Sequence, residues 1–155
     1  MLFQSILYLH VLGAIVLIGT GAGIAFFMLA AHLTRDAATV AGVARIVVLA
    51  DYIFTATAAV AQPVTGVALA LMAGWRFGTP WLALSILLYI VIGLCWLPVV
   101  RLQIRMRDLA AFAVAAGQPL PAAYHRLFRL WFALGIPAFA AILAVLWLML
   151  QKPPF

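Results

Sequence analysis

The chain has 155 residues, enough for one domain, and 69% of them are hydrophobic while only 8% are charged. Soluble domains are about 45–50% apolar and about 25% charged, so a water-soluble fold of this length is excluded, and the lipid bilayer is the expected partner of the apolar surface. Nine basic and three acidic residues give a net charge of +6. Because the basic residues flank apolar runs, membrane topology accounts for them, and no nucleic acid partner is expected.

Four apolar runs each reach the ~20 residues that are needed to cross ~30 Å of hydrocarbon. They cover about residues 2–33, 46–73, 81–100 and 127–150. Since lipid-exposed backbone must satisfy its own hydrogen bonds, each run is predicted to be a helix. The fold class expected for 1–155 is a single all-α domain, a bundle of four transmembrane helices with both termini on one side. The first run is too long for a signal peptide and is expected to persist.

Helix one carries an ionisable side chain, which within a membrane span predicts a functional site. His10 lies about 12 Å into the predicted helix at about 1.5 Å per residue. Gly13 and Gly21 share its face and would leave a shallow groove, where a flat porphyrin could lie with its iron on the ring nitrogen. The same glycines would also allow close helix packing, in which case His10 only bonds a neighbouring helix.

Helix two has a polar stripe that is expected to face the bundle interior. The members of this stripe are Asp51, Thr55, Gln62, Thr65 and Gly66. Pro63 removes a backbone donor in mid-span, and Gln62 or Thr65 would satisfy the groups that it frees. The stripe predicts either interhelical hydrogen bonds or the lining of a cavity.

Helix three and the connection after it contribute further candidates. Tyr89 would either donate a hydrogen bond to a cofactor or anchor helix packing. The first half of the connection 101–126 is predicted to continue helix three into water. His32 and His125 fall at the edges of their spans and would make a weak metal site, because no carboxylate or thiol accompanies them.

The basic residues predict the orientation of the bundle. The first and third connections share a side, which holds most of them: Arg35, Arg45, Arg101, Arg105, Arg107, Arg126 and Arg129. The other side holds Arg76 and Lys152. Because Arg and Lys are in excess on the cytoplasmic side of membrane proteins, the Arg-rich connections are predicted to face the cytoplasm of a bacterial inner membrane.

The stretch from Leu9 to Gly13, followed by Ile18-Gly19, resembles the start of membrane proteins in the copper-resistance CopD-like superfamily. A closer resemblance is carried by residues 62–66, 131–139 and 148–153. It is to short bacterial integral membrane proteins that are known only as a domain of unknown function. This resemblance implies a membrane protein without an assigned activity.

A more distant resemblance is to HemJ-type protoporphyrinogen oxidases, which have a similar length, four spans and a tail similar to Lys152-Pro153-Pro154-Phe155. It implies that a helix-one histidine, here His10, holds haem b. Those oxidases have an Asn-Glu pair just before the proline of helix four, whereas Leu134-Gly135-Ile136 precede Pro137 in this chain. The resemblance therefore favours a haem site and argues against the oxidase activity.

The leading hypothesis is a haem-b-binding redox or sensing protein with His10 as the metal ligand. The other residues expected beside the cofactor are Gly13, Gly21, Gln62, Thr65 and Tyr89. Candidates for a second axial ligand are Met72, Tyr89 and Met149. No Walker loop, dinucleotide fingerprint, His-Glu-x-x-His or nucleophile elbow occurs, so neither a hydrolase nor a nucleotide-driven pump is expected.

Two alternatives from other functional classes remain open. One is a copper-handling transporter whose ion path is lined by His10, Met28, Gln62 and Thr65, since histidine and methionine suit Cu(I). The other is a structural subunit without a cofactor. A bundle of four helices is small, so a homo-oligomer or a partner membrane redox protein is compatible with each of these functions.

Overall fold

The computed structural model describes residues 1–154, which are helical apart from short connections and contain no strand. In chain order the elements are α1 (Leu2–Thr34), α2 (Ala37–Ala50), a π-helical turn (Asp51–Thr55), α3 (Ala56–Met72), α4 (Pro80–Ala115) and α5 (Ala122–Gln151). The elements from α2 to α3 form one continuous helix, so four helices are long and apolar enough to cross a membrane. The predicted four-helix, all-α membrane fold is confirmed.

The second span begins at Ala37 rather than near residue 46, because Asp36 caps it. The Asp36 carboxylate accepts hydrogen bonds from the Thr39 backbone N–H at 2.7 Å and from the Thr39 hydroxyl at 2.6 Å. The hydroxyl bond, and then the backbone bond, lower the pKa of Asp36. An aspartate at this position satisfies a donor that the first helical turn leaves free. The predicted connection is therefore helical, and Arg45 lies on α2.

α4 runs without interruption from Pro80 to Ala115, so it continues well beyond its apolar run, as predicted. It ends where Gly117 adopts a φ of 63°. The N–H of Gly117 donates to the Val114 carbonyl at 3.1 Å, and the N–H of Gln118 donates to the Ala113 carbonyl at 2.9 Å. Glycine suits this left-handed conformation because it has no Cβ.

The bundle has two ends of different construction. The Arg-rich end is where α1 and α4 end and where α2 and α5 begin; the terminal end is where α1 begins and α5 ends. The Arg-rich end has a large buried core: Ile24, Met28, Ala31, Val40, Ala44, Val47, Met106, Ala110, Leu120, Tyr124, Phe128 and Trp131. The terminal end has a smaller buried cluster: Ala70, Trp81, Leu82 and Leu148.

The helix pairing explains this difference in core size. α1 packs along α2 and α3, and α4 packs along α5 and α2, whereas α1 meets α5 only briefly. The terminal half of the bundle therefore exposes many apolar side chains, among them Leu9, Ile15 and Ile136. Exposed apolar side chains of this kind fit a lipid environment.

Candidate functional site

Three predicted site residues meet where α1 crosses α3. His10 Nδ1 lies 2.8 Å from the Thr65 hydroxyl oxygen. The Gln62 side-chain amide donates to the His10 backbone carbonyl at 2.7 Å. Gln62 is buried, while His10 and Thr65 are half-buried. The polar stripe of the second span thus joins α3 to α1 by hydrogen bonds at His10.

The hydrogen bonds around Thr65 assign the tautomer of His10. The Thr65 hydroxyl has one hydrogen, which reaches the backbone carbonyls of Ala61 at 2.7 Å and Gln62 at 3.2 Å. Its oxygen is then the acceptor for His10, so Nδ1 carries the ring hydrogen and donates it. In a neutral imidazole the other nitrogen keeps its lone pair, and Nε2 has no hydrogen-bond partner within residues 1–154. Nε2 is therefore a base nitrogen that a ligand can use.

The glycines near His10 differ in their surroundings. A Cβ on Gly13 would collide with the side-chain nitrogen of Gln62, so Gln62 fills the groove that the sequence predicts there. That expectation is corrected: the space at Gly13 serves close helix packing, because an amide occupies it. A Cβ on Gly66 would lie 3.3 Å from His10 Cε1, whereas one on Gly21 would meet no atom within 4 Å. Only the face at Gly21 remains open.

Tyr89 is engaged with the backbone of α3. Pro63 has no N–H, so the carbonyl of Ala59, four residues earlier, loses its helical donor. The Tyr89 hydroxyl donates to that carbonyl oxygen at 2.6 Å. Tyr89 thus repairs the hydrogen bond that Pro63 removes and joins α4 to α3, which corresponds to the packing role that the sequence left open.

The methionines that were considered as ligands lie in other environments. Met28 follows His10 by 18 residues on the same helix, or about 27 Å at about 1.5 Å per residue, and it is fully buried in the Arg-rich end. His10 and Met28, which the predicted ion path combines, are therefore too far apart to form a single metal site. Met149 packs against the cluster at the terminal end, and Met72 is exposed.

A second polar cluster lies at the π-helical turn, where the polar stripe of the second span begins. Asp51 is buried, and its Oδ1 accepts a hydrogen bond from the Trp96 indole N–H at 3.2 Å. The Trp131 indole N–H can only donate, so it fixes the Gln103 amide with its oxygen towards Trp131 at 3.1 Å. The Gln103 NH₂ group then donates to Asp51 Oδ2 at 3.1 Å. These bonds join the second span to α4 and α5.

Two further features mark the same turn. The Ala56 N–H reaches back five residues to the Asp51 carbonyl, and such π-turns are frequent at functional sites. The Thr55 hydroxyl is buried and has no partner in the part of the chain that the structure describes. A sequence signal for Gln103 existed, since it shares a helical face with Met106, Ala110 and Ala113, all buried on α4.

The structure also brings His32 and His125 together at the Arg-rich end, with their ring centroids 5.6 Å apart. No group of three His, Cys, Asp or Glu side chains that could share a metal occurs among residues 1–154. His32 stacks on Phe128, at 3.7 Å between the ring centroids and 4° between the ring planes. His32 therefore takes part in the aromatic packing of α1 against α5, while His125 is exposed.

Comparison with known proteins gives one match. The model of a family described as "Predicted integral membrane protein (DUF2269)" matches residues 4–153. No curated protein and no solved structure matches the chain. The family match confirms the resemblance to membrane proteins of unknown function, and it lends no support to a CopD-like or HemJ-type relationship.

Proposed function

We propose that this chain, which belongs to the DUF2269 family of predicted integral membrane proteins, binds haem b as a membrane redox or sensing protein. His10 Nε2 would bind the haem iron. The observation that supports the proposal is the assigned tautomer: Thr65 accepts the hydrogen of Nδ1 and leaves Nε2 with a free lone pair. Histidine ligands of metals typically donate their second ring nitrogen in this way.

The residues around His10 limit how a porphyrin would lie. Gln62 closes the space beside Gly13, so the macrocycle would not rest there. Thr65 would orient the imidazole of His10. Gln62 donates to the backbone carbonyl of His10 and would thereby hold α1 in place. Haem in such a site supplies one-electron chemistry or gas binding, tuned by the axial ligand and by the bond on its second nitrogen.

A second candidate function is a structural subunit without a cofactor. It is favoured by the same contacts, because the His10–Thr65 and Gln62–His10 bonds already join α1 to α3. Interhelical hydrogen bonds in membranes contribute on average about 0.6 kcal/mol each, enough to select such pairs for packing alone. In that case position 10 would accept any side chain that preserves the hydrogen bond to Thr65.

Absorption spectra of the purified protein, oxidised and reduced, separate the two functions. For the haem protein we expect a Soret band in the wild type after haem is supplied, its loss in His10→Gln, and its retention in His125→Gln. Thr65→Val should weaken haem affinity by about 10–100-fold, the usual effect of losing the partner of a ligating histidine. If the wild type stays colourless after haem is supplied, and all variants are folded, the result would support the structural subunit without a cofactor. Bound copper without a Soret band would point to metal handling.

The proposal extends to orientation and partners. The Arg-rich end, with seven of the nine basic residues, would face the cytoplasm of a bacterial inner membrane. A haem at His10 would then lie nearer the opposite face, where a partner membrane redox protein or a second copy of the chain would exchange electrons with it. Reporter fusions after Lys152 and within the connection 116–121 test this orientation, since only one of them should be active in the cytoplasm.

A further inference from the structure

A cavity at the Arg-rich end has no role in the proposed function. It is a surface cavity of about 410 Å³ lined by His32, Leu33, Arg35 and His125, of which all but His32 are exposed. Three of these side chains are cationic or become cationic on protonation, and no acidic side chain lines the cavity. Such a lining would attract an anion.

His32 is held at the cavity by two aromatic side chains of α5. Its Nδ1 lies 3.4 Å from the Tyr124 hydroxyl, which can donate or accept, so either tautomer of His32 fits this contact. Because the ring is stacked on Phe128, its plane is fixed. When protonated, His32 donates from both ring nitrogens and offers an anion an N–H in this fixed plane.

Arg35 is held at the cavity by an unusual backbone conformation. It caps the end of α1 with a φ of 58°, a left-handed conformation that is normally taken by glycine or asparagine. The neighbouring carboxylate of Asp36 is bound to Thr39 instead. Within residues 1–154 the only ion pair joins Arg107 and Asp108. The guanidinium of Arg35 therefore has no acidic partner and is available to a ligand.

We propose that this cavity binds a phosphate group. Arg35 would pair with it through two parallel N–H donors, and His32 and His125 would donate from the sides. The cavity lies at the end of a transmembrane helix, where lipid headgroups lie, so the phosphate of an anionic lipid is one source and a soluble phosphate the other. The site is independent of His10.

Native mass spectrometry of the protein in neutral detergent, with phosphatidic acid, phosphatidylcholine or inorganic phosphate added singly, tests the site. We expect phosphatidic acid to bind and phosphatidylcholine not to bind. Arg35→Gln should lower the affinity about tenfold, since a bond to a charged group is lost. Arg129→Gln is the matched control, because Arg129 is exposed at the same end outside the cavity.

The two sources of phosphate separate in the same experiment. Binding of inorganic phosphate with the same dependence on Arg35 supports the site and makes the ligand soluble; binding of phosphatidic acid alone makes it a lipid. Absence of binding by either, or equal loss in Arg35→Gln and Arg129→Gln, would overturn the proposal. Circular dichroism of each variant confirms that the comparison is made between folded proteins.

Discussion

α1 carries one histidine near each end, and the two differ in how their neighbouring hydroxyl is engaged. The Thr65 hydrogen is taken by backbone carbonyls, so His10 Nδ1 donates to Thr65 and Nε2 is a base; the Tyr124 hydroxyl beside His32 Nδ1 can donate or accept. Residues 10 and 32 are 22 positions apart, about 33 Å along the helix, which is comparable to the ~30 Å thickness of the hydrocarbon. The difference teaches that a neighbouring hydroxyl fixes the tautomer of a histidine where the hydroxyl hydrogen already has an acceptor.

The surroundings of the two histidines differ as well. At the Arg-rich end all four membrane helices meet in a large core, and the Asp51 cluster joins three of them beside it. At His10 only α1 and α3 meet, through two side-chain hydrogen bonds. Changes at the Arg-rich end should therefore cost more stability than changes at the terminal end.

The largest effect is expected in the Asp51 cluster. Gln103→Leu removes the donor to Asp51 Oδ2 and the acceptor for the Trp131 indole N–H together, and leaves only the Trp96 bond on the buried Asp51 carboxylate. We expect the free energy of unfolding in detergent to fall by about 3 kcal/mol. Gln118→Leu, in the exposed connection after α4, is the control and should change it by less than about 0.5 kcal/mol. Equal stability of the two variants would refute the role of the cluster.

A smaller effect is expected at the crossing of α1 and α3. Gly13→Ala should displace the Gln62 amide from the His10 carbonyl, while Gly21→Ala meets no neighbouring atom and should even favour the helix. We expect Gly13→Ala to be less stable than Gly21→Ala by about 1–2 kcal/mol in the same unfolding assay. If the two alanines had the same effect, Gln62 would not fill the space at Gly13.

A double-mutant cycle isolates the Tyr89 contact. Tyr89→Phe leaves the Ala59 carbonyl without a donor, at an expected cost of about 1 kcal/mol. Pro63→Ala restores a backbone N–H that can bond this carbonyl, so the cost of Tyr89→Phe should largely disappear in the Pro63→Ala background. An unchanged cost in that background would mean that Tyr89 contributes through packing rather than through the carbonyl.

The smallest effect concerns the start of α2. The pKa of Asp36 is lowered by its bonds from Thr39, so its contribution to stability is present above the pKa of an unfolded aspartate. That contribution should disappear as the pH falls through the lowered pKa. The difference between the wild type and Asp36→Ala, measured by hydrogen exchange of the Thr39 amide, should vanish at acidic pH. A difference that persists there would contradict the capping role.

The sequence predicts the number and type of the membrane helices, because lipid imposes apolar runs that composition reveals directly. It misses the start of the second span, because a charged Arg45 suggests a connection. The helix begins earlier only because Asp36 caps it. It identifies His10, Gln62 and Thr65 individually, but not the filling of Gly13, which depends on how closely two helices approach.

The Asp51 cluster was less predictable for a different reason. Gln103 and Trp131 lie 28 residues apart on separate helices, and only the rotation of α4 about its axis decides that the amide faces inward. A stripe of Met106, Ala110 and Ala113 carries that information weakly. The partners of a polar side chain in a bundle depend on how each helix is rotated about its own axis. The lengths of the helices do not determine that rotation.

Nitrogen NMR of the protein in bilayers, with ¹⁵N-labelled histidine, tests the central claim most directly. The chain has three histidines, so His10→Gln and His125→Gln assign every imidazole signal. At about pH 8, where histidine is ordinarily neutral, the structure predicts a protonated Nδ1 and a bare Nε2 for His10. A hydrogen on Nε2 of His10 would contradict the claim, because no lone pair would then be available to a metal.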